Sequence, residues 1–136
     1  YKFEAGTPAI AEVIALGAAI DCLDRWGRHW ISDHAQKVSE AALQKLAVIP
    51  NLKILGKASH RGPIVSFYFD DCHASDVGAI LDQQGVAVRV GHLCTQPLLK
   101  NFNLTSVARA SFSVFTTEKD LDALVAGLLK AREMLV

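Results

Sequence analysis

Pro63-Ile64-Val65-Ser66-Phe67-Tyr68-Phe69 is the stretch on which the fold turns. β-Branched and aromatic residues dominate it, and these suit a pleated, half-buried strand. Its proline stands at the start, where a missing N–H donor is tolerated. Working outward, Leu52–Leu55 is a shorter strand candidate upstream. Downstream, Asp76 to Gln84 reads as a helix through Val77, Ile80 and Leu81, and Gly85 suits the position just past its end. Val86 to Val90 then alternates, with Ala87 and Arg89 on the face opposite Val86, Val88 and Val90, so another strand is expected. Val107 to Val114 does the same. Ala108, Ala110, Phe112 and Val114 form its apolar face, while Arg109, Ser111 and Ser113 point the other way.

Helices flank these strands. Thr7-Pro8 reads as an N-cap and first helical position, because a hydroxyl can cap free N–H groups and proline lacks one. Ile10, Val13, Ile14, Gly17 and Ile20 follow at helical spacing, and Gly27 interrupts. A second helix is expected from about Ile31, with Ala35, Val38, Ala42 and Leu46 on one face, stopping before Pro50. Near the end, Thr117 and Asp120 make a variant capping box ahead of Leu121, Leu124, Val125, Leu128 and Leu135. Two helices, strands interleaved with a helix and a closing helix predict an α+β fold. Its sheet is expected to be antiparallel or mixed, with helices packed mainly on one face.

Composition narrows the function classes. The 136 residues suffice for about one domain, and 51% hydrophobic with 21% charged residues is ordinary globular composition. Basic and acidic residues balance at 14 each, so the basic excess expected of a nucleic-acid or anionic-membrane binder is missing. Cys22, Cys72 and Cys94 are odd in number and form no C-x-x-C, which argues against a closed disulfide framework and a zinc knuckle. Free thiols point to a reducing compartment, and the cytoplasm is the expected location. No apolar run approaches the ~18 residues of a membrane span. The start, Tyr1-Lys2-Phe3-Glu4-Ala5-Gly6, has no initiator Met and no signal-peptide core, so the chain reads as a piece cut from a longer one.

Chemistry concentrates in Arg89-Val90-Gly91-His92-Leu93-Cys94-Thr95-Gln96-Pro97. A strand ends in an arginine, a glycine frees the backbone, and a thiol follows beside a histidine. Cationic neighbours favour thiolate, so Cys94 between Arg89 and His92 suits a nucleophile. On residue types alone the commoner reading of a free cysteine, a small apolar loop residue, stands ahead of it. Arg109 interrupts an otherwise small, apolar strand. A guanidinium there could grip a carboxylate through two parallel bonds, or serve a structural ion pair. Gly6-Thr7 ahead of a helix could hold a phosphate, since N–H groups converge there. Cys72, His73 and Asp76 fit turn and helix-start chemistry better than metal ligation, and no metal site is expected. Trp26, His29 and Trp30 read as packing around the helix break, and His34 and His60 carry no usable signal.

Three segments in register resemble a known family. Phe3-Glu4-Ala5-Gly6-Thr7-Pro8 resembles the F-E-x-G-T-P segment of class V aminotransferases. Arg89-x-Gly91-x-x-Cys94-x-x-Pro97-Leu98 resembles the R-x-G-x-x-C-x-x-P-L stretch of group II cysteine desulfurases, the SufS-like and selenocysteine-lyase-like branch. Arg109-Ala110-Ser111 follows at the spacing of that branch, and Thr117 to Val125 resembles its final helix start. The resemblance implies the C-terminal small domain of a fold-type I enzyme dependent on pyridoxal 5′-phosphate (PLP), spanning 1–136, with the large lysine-bearing domain outside this chain. It further implies conversion of L-cysteine or L-selenocysteine to alanine, with sulfur passing to Cys94 as a persulfide. Arg109 would clamp the substrate carboxylate, and Arg89 and His92 would line the pocket. Thr7, with Gly6, would reach the PLP phosphate of the partner subunit in a homodimer, and a sulfur-acceptor protein would follow, in iron–sulfur cluster or selenium metabolism.

Two departures from the pattern matter. Leu93 stands where the family often has a polar residue or histidine. The PLP lysine lies in a Ser-x-His-Lys context, which none of Lys2, Lys37, Lys45, Lys53, Lys57, Lys100, Lys119 and Lys130 has. The segment alone is therefore expected to be catalytically silent. Two other readings stay open: a class V PLP enzyme without persulfide chemistry, and a free-standing α+β binding or sulfur-relay domain.

Overall fold

A computed structural model describes residues 2–56, 58 and 61–136; Tyr1, Lys57 and His60, named above, lie outside the described residues. The chain divides into two compact units, Tyr1–His34 and Ala35–Val136.

In the first unit, α1 spans Ile10–Trp26 and α2 begins at Arg28. The cap expected at Thr7 is not formed. Ala9, at φ −72° and ψ 73°, makes an inverse γ-turn in which Ile10 N–H donates to the Pro8 carbonyl at 2.8 Å. That turn delays the helix by two residues and leaves Ala9, with no side-chain acceptor, as its N-cap. Gly27 takes φ 87° and serves both neighbours: its N–H donates to Leu23 and its carbonyl accepts from Ile31. The second helix therefore restarts at once, three residues earlier than Ile31. No residue of α1 is buried, although Ile10, Val13, Ile14, Leu16 and Ile20 are apolar.

The second unit continues α2 to Ala47 and adds β1 (Leu52–Leu55), β2 (Ile64–Phe69), α3 (Ala74–Gln83), β3 (Arg89–Gly91), α4 (Gln96–Asn101), β4 (Val107–Ser111) and α5 (Glu118–Leu135). The sheet order is β1-β2-β4-β3 and every pairing is antiparallel. Val65, Phe67, Phe69, Ala108, Ala110 and Phe112 form one buried cluster with Val38, Ala42 and Leu46 of α2, Val77 and Leu81 of α3, and Leu121, Leu124 and Leu128 of α5. Helices thus cover that sheet face. Burial of such side chains, each contributing about 1.5–3 kcal/mol, is the main stabilising term. The buried Ser39 hydroxyl donates to the Ala35 carbonyl at 2.8 Å, so it leaves no unpaired polar group in that cluster.

Local chemistry sets the element ends. The α5 capping box forms as read: Thr117 N–H donates to the Asp120 carboxylate at 2.7 Å. The strand expected over Val86–Val90 is much shorter. Val86 N–H donates to Leu81 C=O and Gly85 N–H to Asp82 C=O, both at 2.9 Å, which is a Schellman cap. Val86 is committed to ending α3, so pairing starts only at Arg89. β4 likewise stops at Ser111: Phe112 N–H still donates to Pro63 C=O at 2.8 Å in the same register, but proline has no N–H to return, so the ladder ends there. The α4 turn was not anticipated from the sequence.

Gly78 lets α3 lie close on β3. A Cβ there would stand 2.6 Å from Val90 Cγ1, on a side chain with little rotamer freedom. Alanine gains about 1 kcal/mol of helix propensity, but such overpacking costs typically about 1–3 kcal/mol. Gly78→Ala is therefore expected to destabilise the protein modestly and to displace β3. Denaturant unfolding checks the sign; a clear rise in stability would refute the close approach.

Candidate active site

β3 and β4 deliver two guanidinium groups to the sheet face opposite the main core. Arg89 and Arg109 are direct cross-strand partners, with Ser66 on the other side of Arg109. Like charges placed opposite each other destabilise a ladder. Neither arginine is in an ion pair among the described residues. Arg109 is half-buried, and its Nε is buried without a hydrogen-bond partner among the described residues. Leaving such a donor unpaired costs about 1–3 kcal/mol. Among the described residues, Arg109 therefore makes no structural ion pair. An incoming anion with two oxygens would satisfy it.

Beyond Arg89 the chain leaves the sheet through Gly91, at φ 115°. A tight turn follows. Thr95 N–H donates to the His92 carbonyl at 2.9 Å, and Leu93 and Cys94 between them take φ 54° and 59°. Positive φ at both central residues is the mark of a type I′ turn, normally built from Asn and Gly. Thr95 Oγ1 donates to the same carbonyl at 2.9 Å, and Cys94 N–H donates to His92 Nδ1 at 3.2 Å. An accepting Nδ1 puts the ring proton on Nε2, so His92 offers an N–H donor on its outer side. α4 starts directly after this turn, with Pro97 in its first positions and Leu99 buried. Thr95 followed two residues later by Pro97 was the signal for it.

Cys94 is exposed, not packed as an apolar loop residue. Arg89, His92, Leu93, Cys94 and Arg109 line one open cleft of about 470 Å³. Four of the residues singled out in the sequence thus meet in one place, with both guanidinium groups on the wall beside the thiol. Gly6 and Thr7 belong to the first unit, exposed ahead of α1.

The other candidates separate from chemistry. His73 caps α3, its Nδ1 accepting Ser75 N–H at 3.3 Å, and its Nε2 is 3.2 Å from Ser106 Oγ. Cys72 packs beside Asp71 and Arg132; burial first, then the Asp71 carboxylate, pushes its thiol above the ordinary range. Among the described residues, no group of three His, Cys, Asp or Glu could hold a metal. None of the described helices is long and apolar enough to cross a membrane. Trp26 and Trp30 meet edge to face at 6.3 Å, and Trp30 stacks on His34 at 5.2 Å, which is packing.

The family model for aminotransferase class-V matches residues 1–124. The chain belongs to the aminotransferase class-V family. Relatives of this class-V chain include a probable cysteine desulfurase of Streptomyces coelicolor, 44% identical over 134 residues, and probable cysteine desulfurase 2 of Mycobacterium leprae, 46% identical over 132. The alignments cover 97% and 96% of the class-V chain but 32% of each relative. The cysteine desulfurase CsdA from Escherichia coli, crystallised as its S-sulfonic acid form, superposes with a TM-score of 0.89 at 34% identity, over 99% of this chain and 33% of that one. An apo cysteine desulfurase from Thermococcus onnurineus gives 0.89 at 30% identity, over 98% and 34%. The class-V chain thus spans about a third of the length of these relatives and structures.

Proposed function

We propose that the whole protein is a PLP-dependent cysteine desulfurase in which Cys94 takes sulfur from L-cysteine and L-alanine leaves. One observation carries this reading: an exposed thiol shares its cleft with two arginines free of ion pairs among the described residues, one with a buried, unsatisfied Nε. Identities of 44% and 46% to probable cysteine desulfurases support it.

Arg109 binds the substrate carboxylate and fixes the amino acid relative to Cys94. The Cys94 thiolate attacks the substrate sulfur, so a new S–S bond forms as the substrate C–S bond breaks. The electron pair of that bond remains with carbon, which takes up a proton and becomes the alanine methyl group. Arg89 raises the positive potential around the attacking sulfur. PLP, when bound, supplies the electron sink that makes the C–S bond breakable.

Two parts of this chain fit the cofactor and substrate. The orphaned Arg109 Nε suits a carboxylate. Gly6 and Thr7 are exposed, with no heavy atom within 4 Å of where a Gly6 Cβ would stand, which leaves a phosphate room to approach. In the proposed homodimer these two would serve the partner subunit's PLP. The PLP lysine would come from sequence beyond this segment, so 1–136 is the small C-terminal domain and is inactive alone. A cytoplasmic site, a protein sulfur acceptor and use of L-selenocysteine complete the proposal.

The test is incubation of the full-length protein with L-cysteine and a reductant. One alanine and one sulfide per cysteine consumed are expected. Absence of both products would leave a class V enzyme of other chemistry.

A further inference from the structure

We propose that His92 is a positioning residue: its Nδ1 grips the Cys94 backbone and holds the nucleophile in a left-handed turn that would otherwise relax. The inference rests on the desulfurase reading for its kinetic consequence, but its structural content stands apart from it.

Leu93 and Cys94 both sit at positive φ, where a side chain clashes with its own backbone and only glycine or asparagine is at ease. Neither residue can favour this conformation by itself, so neighbouring contacts must impose it. Three hydrogen bonds do so, and all end on His92: two on its carbonyl from Thr95, and one on Nδ1 from Cys94 N–H. Only the last touches the nucleophile's own residue. It also requires a side-chain acceptor one bond beyond Cγ, two residues before the donor. Asparagine and aspartate place Oδ1 there when they form such turns. Histidine does the same at the start of α3, where His73 Nδ1 accepts from Ser75 N–H at 3.3 Å. His92 is exposed, so its side chain contributes little to the core.

The experiment compares full-length wild type with His92→Ala and His92→Asn. Hydrogen exchange of the Cys94 amide, resolved to that residue, reads the grip directly. A bond of ordinary strength slows exchange about fivefold to tenfold. His92→Asn keeps that protection and His92→Ala loses it. Turnover with L-cysteine should follow: kcat within about threefold of wild type for His92→Asn and about tenfold to a hundredfold lower for His92→Ala, with KM little moved, as expected for a misplaced reacting atom. Equal loss in both variants would overturn the proposal, since a positioning acceptor is restored by asparagine and ring chemistry is not. Unchanged exchange or unchanged kcat in His92→Ala would overturn it too. If wild type makes no alanine, the desulfurase reading fails, while the exchange measurement still judges the grip.

Discussion

Cys94→Ala in the full-length protein is expected to abolish the protein persulfide and to slow alanine formation from L-cysteine by about a thousandfold or more, on the order seen when a covalent nucleophile is removed. PLP absorbance should persist, because the proposed role of Cys94 is attack on the substrate sulfur and not retention of the cofactor. The two remaining cysteines make internal controls. Cys72 is a poor substitute nucleophile: burial and the Asp71 carboxylate both disfavour its thiolate, and Arg132 is already engaged with that carboxylate. Cys22 lies on α1, in the other compact unit. Cys22→Ser and Cys72→Ser should therefore retain turnover within about twofold, the range usual for substitutions that touch no special feature. Mass spectrometry of the cysteine-treated protein checks this: one added sulfur on the peptide containing Cys94, none in the alanine variant. Turnover that survives Cys94→Ala would show sulfur leaving by a route that needs no protein acceptor.

The sequence made some of this visible because the relevant forces are local. Residue types alone placed β1 at its observed bounds and marked the β2 strand, whose Val65, Phe67 and Phe69 the structure buries in the core. Gly27, Gly85 and the Thr117–Asp120 pair marked ends, since a left-handed residue or a side-chain cap acts within a few positions. Thr7 misled because an inverse γ-turn at Ala9 was an equally local alternative that no residue type announces. Val86 misled because one N–H cannot both cap a helix and join a ladder, and the Schellman bond to Leu81 won. The site shows the same division. Its residue types were legible in Arg89, His92, Cys94 and Arg109, but their meeting depends on strand register, which pairs Arg89 with Arg109 across more than a dozen intervening residues. The positive φ of Leu93 and Cys94 was invisible for a different reason. The usual glycine or asparagine is absent, and the conformation is imposed by contacts to His92.

Arg109 provides the sharpest test of function against structure, because activity and stability should move in opposite directions. If the guanidinium waits for a substrate carboxylate, Arg109→Ala removes a charge-assisted, paired contact worth about 2–4 kcal/mol, and kcat/KM for L-cysteine falls about 30- to 1000-fold. Arg109→Lys keeps the charge but not the planar fork, so it should recover only part of that loss. Stability responds to other terms. In the absence of substrate, Arg109 sets a buried donor without a partner against a like charge directly across the ladder. Both effects are unfavourable, so removing the side chain relieves them while losing some packing of its stem. Arg109→Gln is therefore expected to leave the unfolding midpoint unchanged or higher while impairing catalysis, which denaturant unfolding and kinetics on the same preparation would show. Saturating L-alanine, which has the same carboxylate, should stabilise wild type and fail to stabilise the variant. A residue held there for the fold would give the reverse: a lower midpoint, with kcat/KM falling only as far as the folded fraction does. The difference follows from one geometric fact, that the partner Arg109 needs does not come from the described part of its own chain.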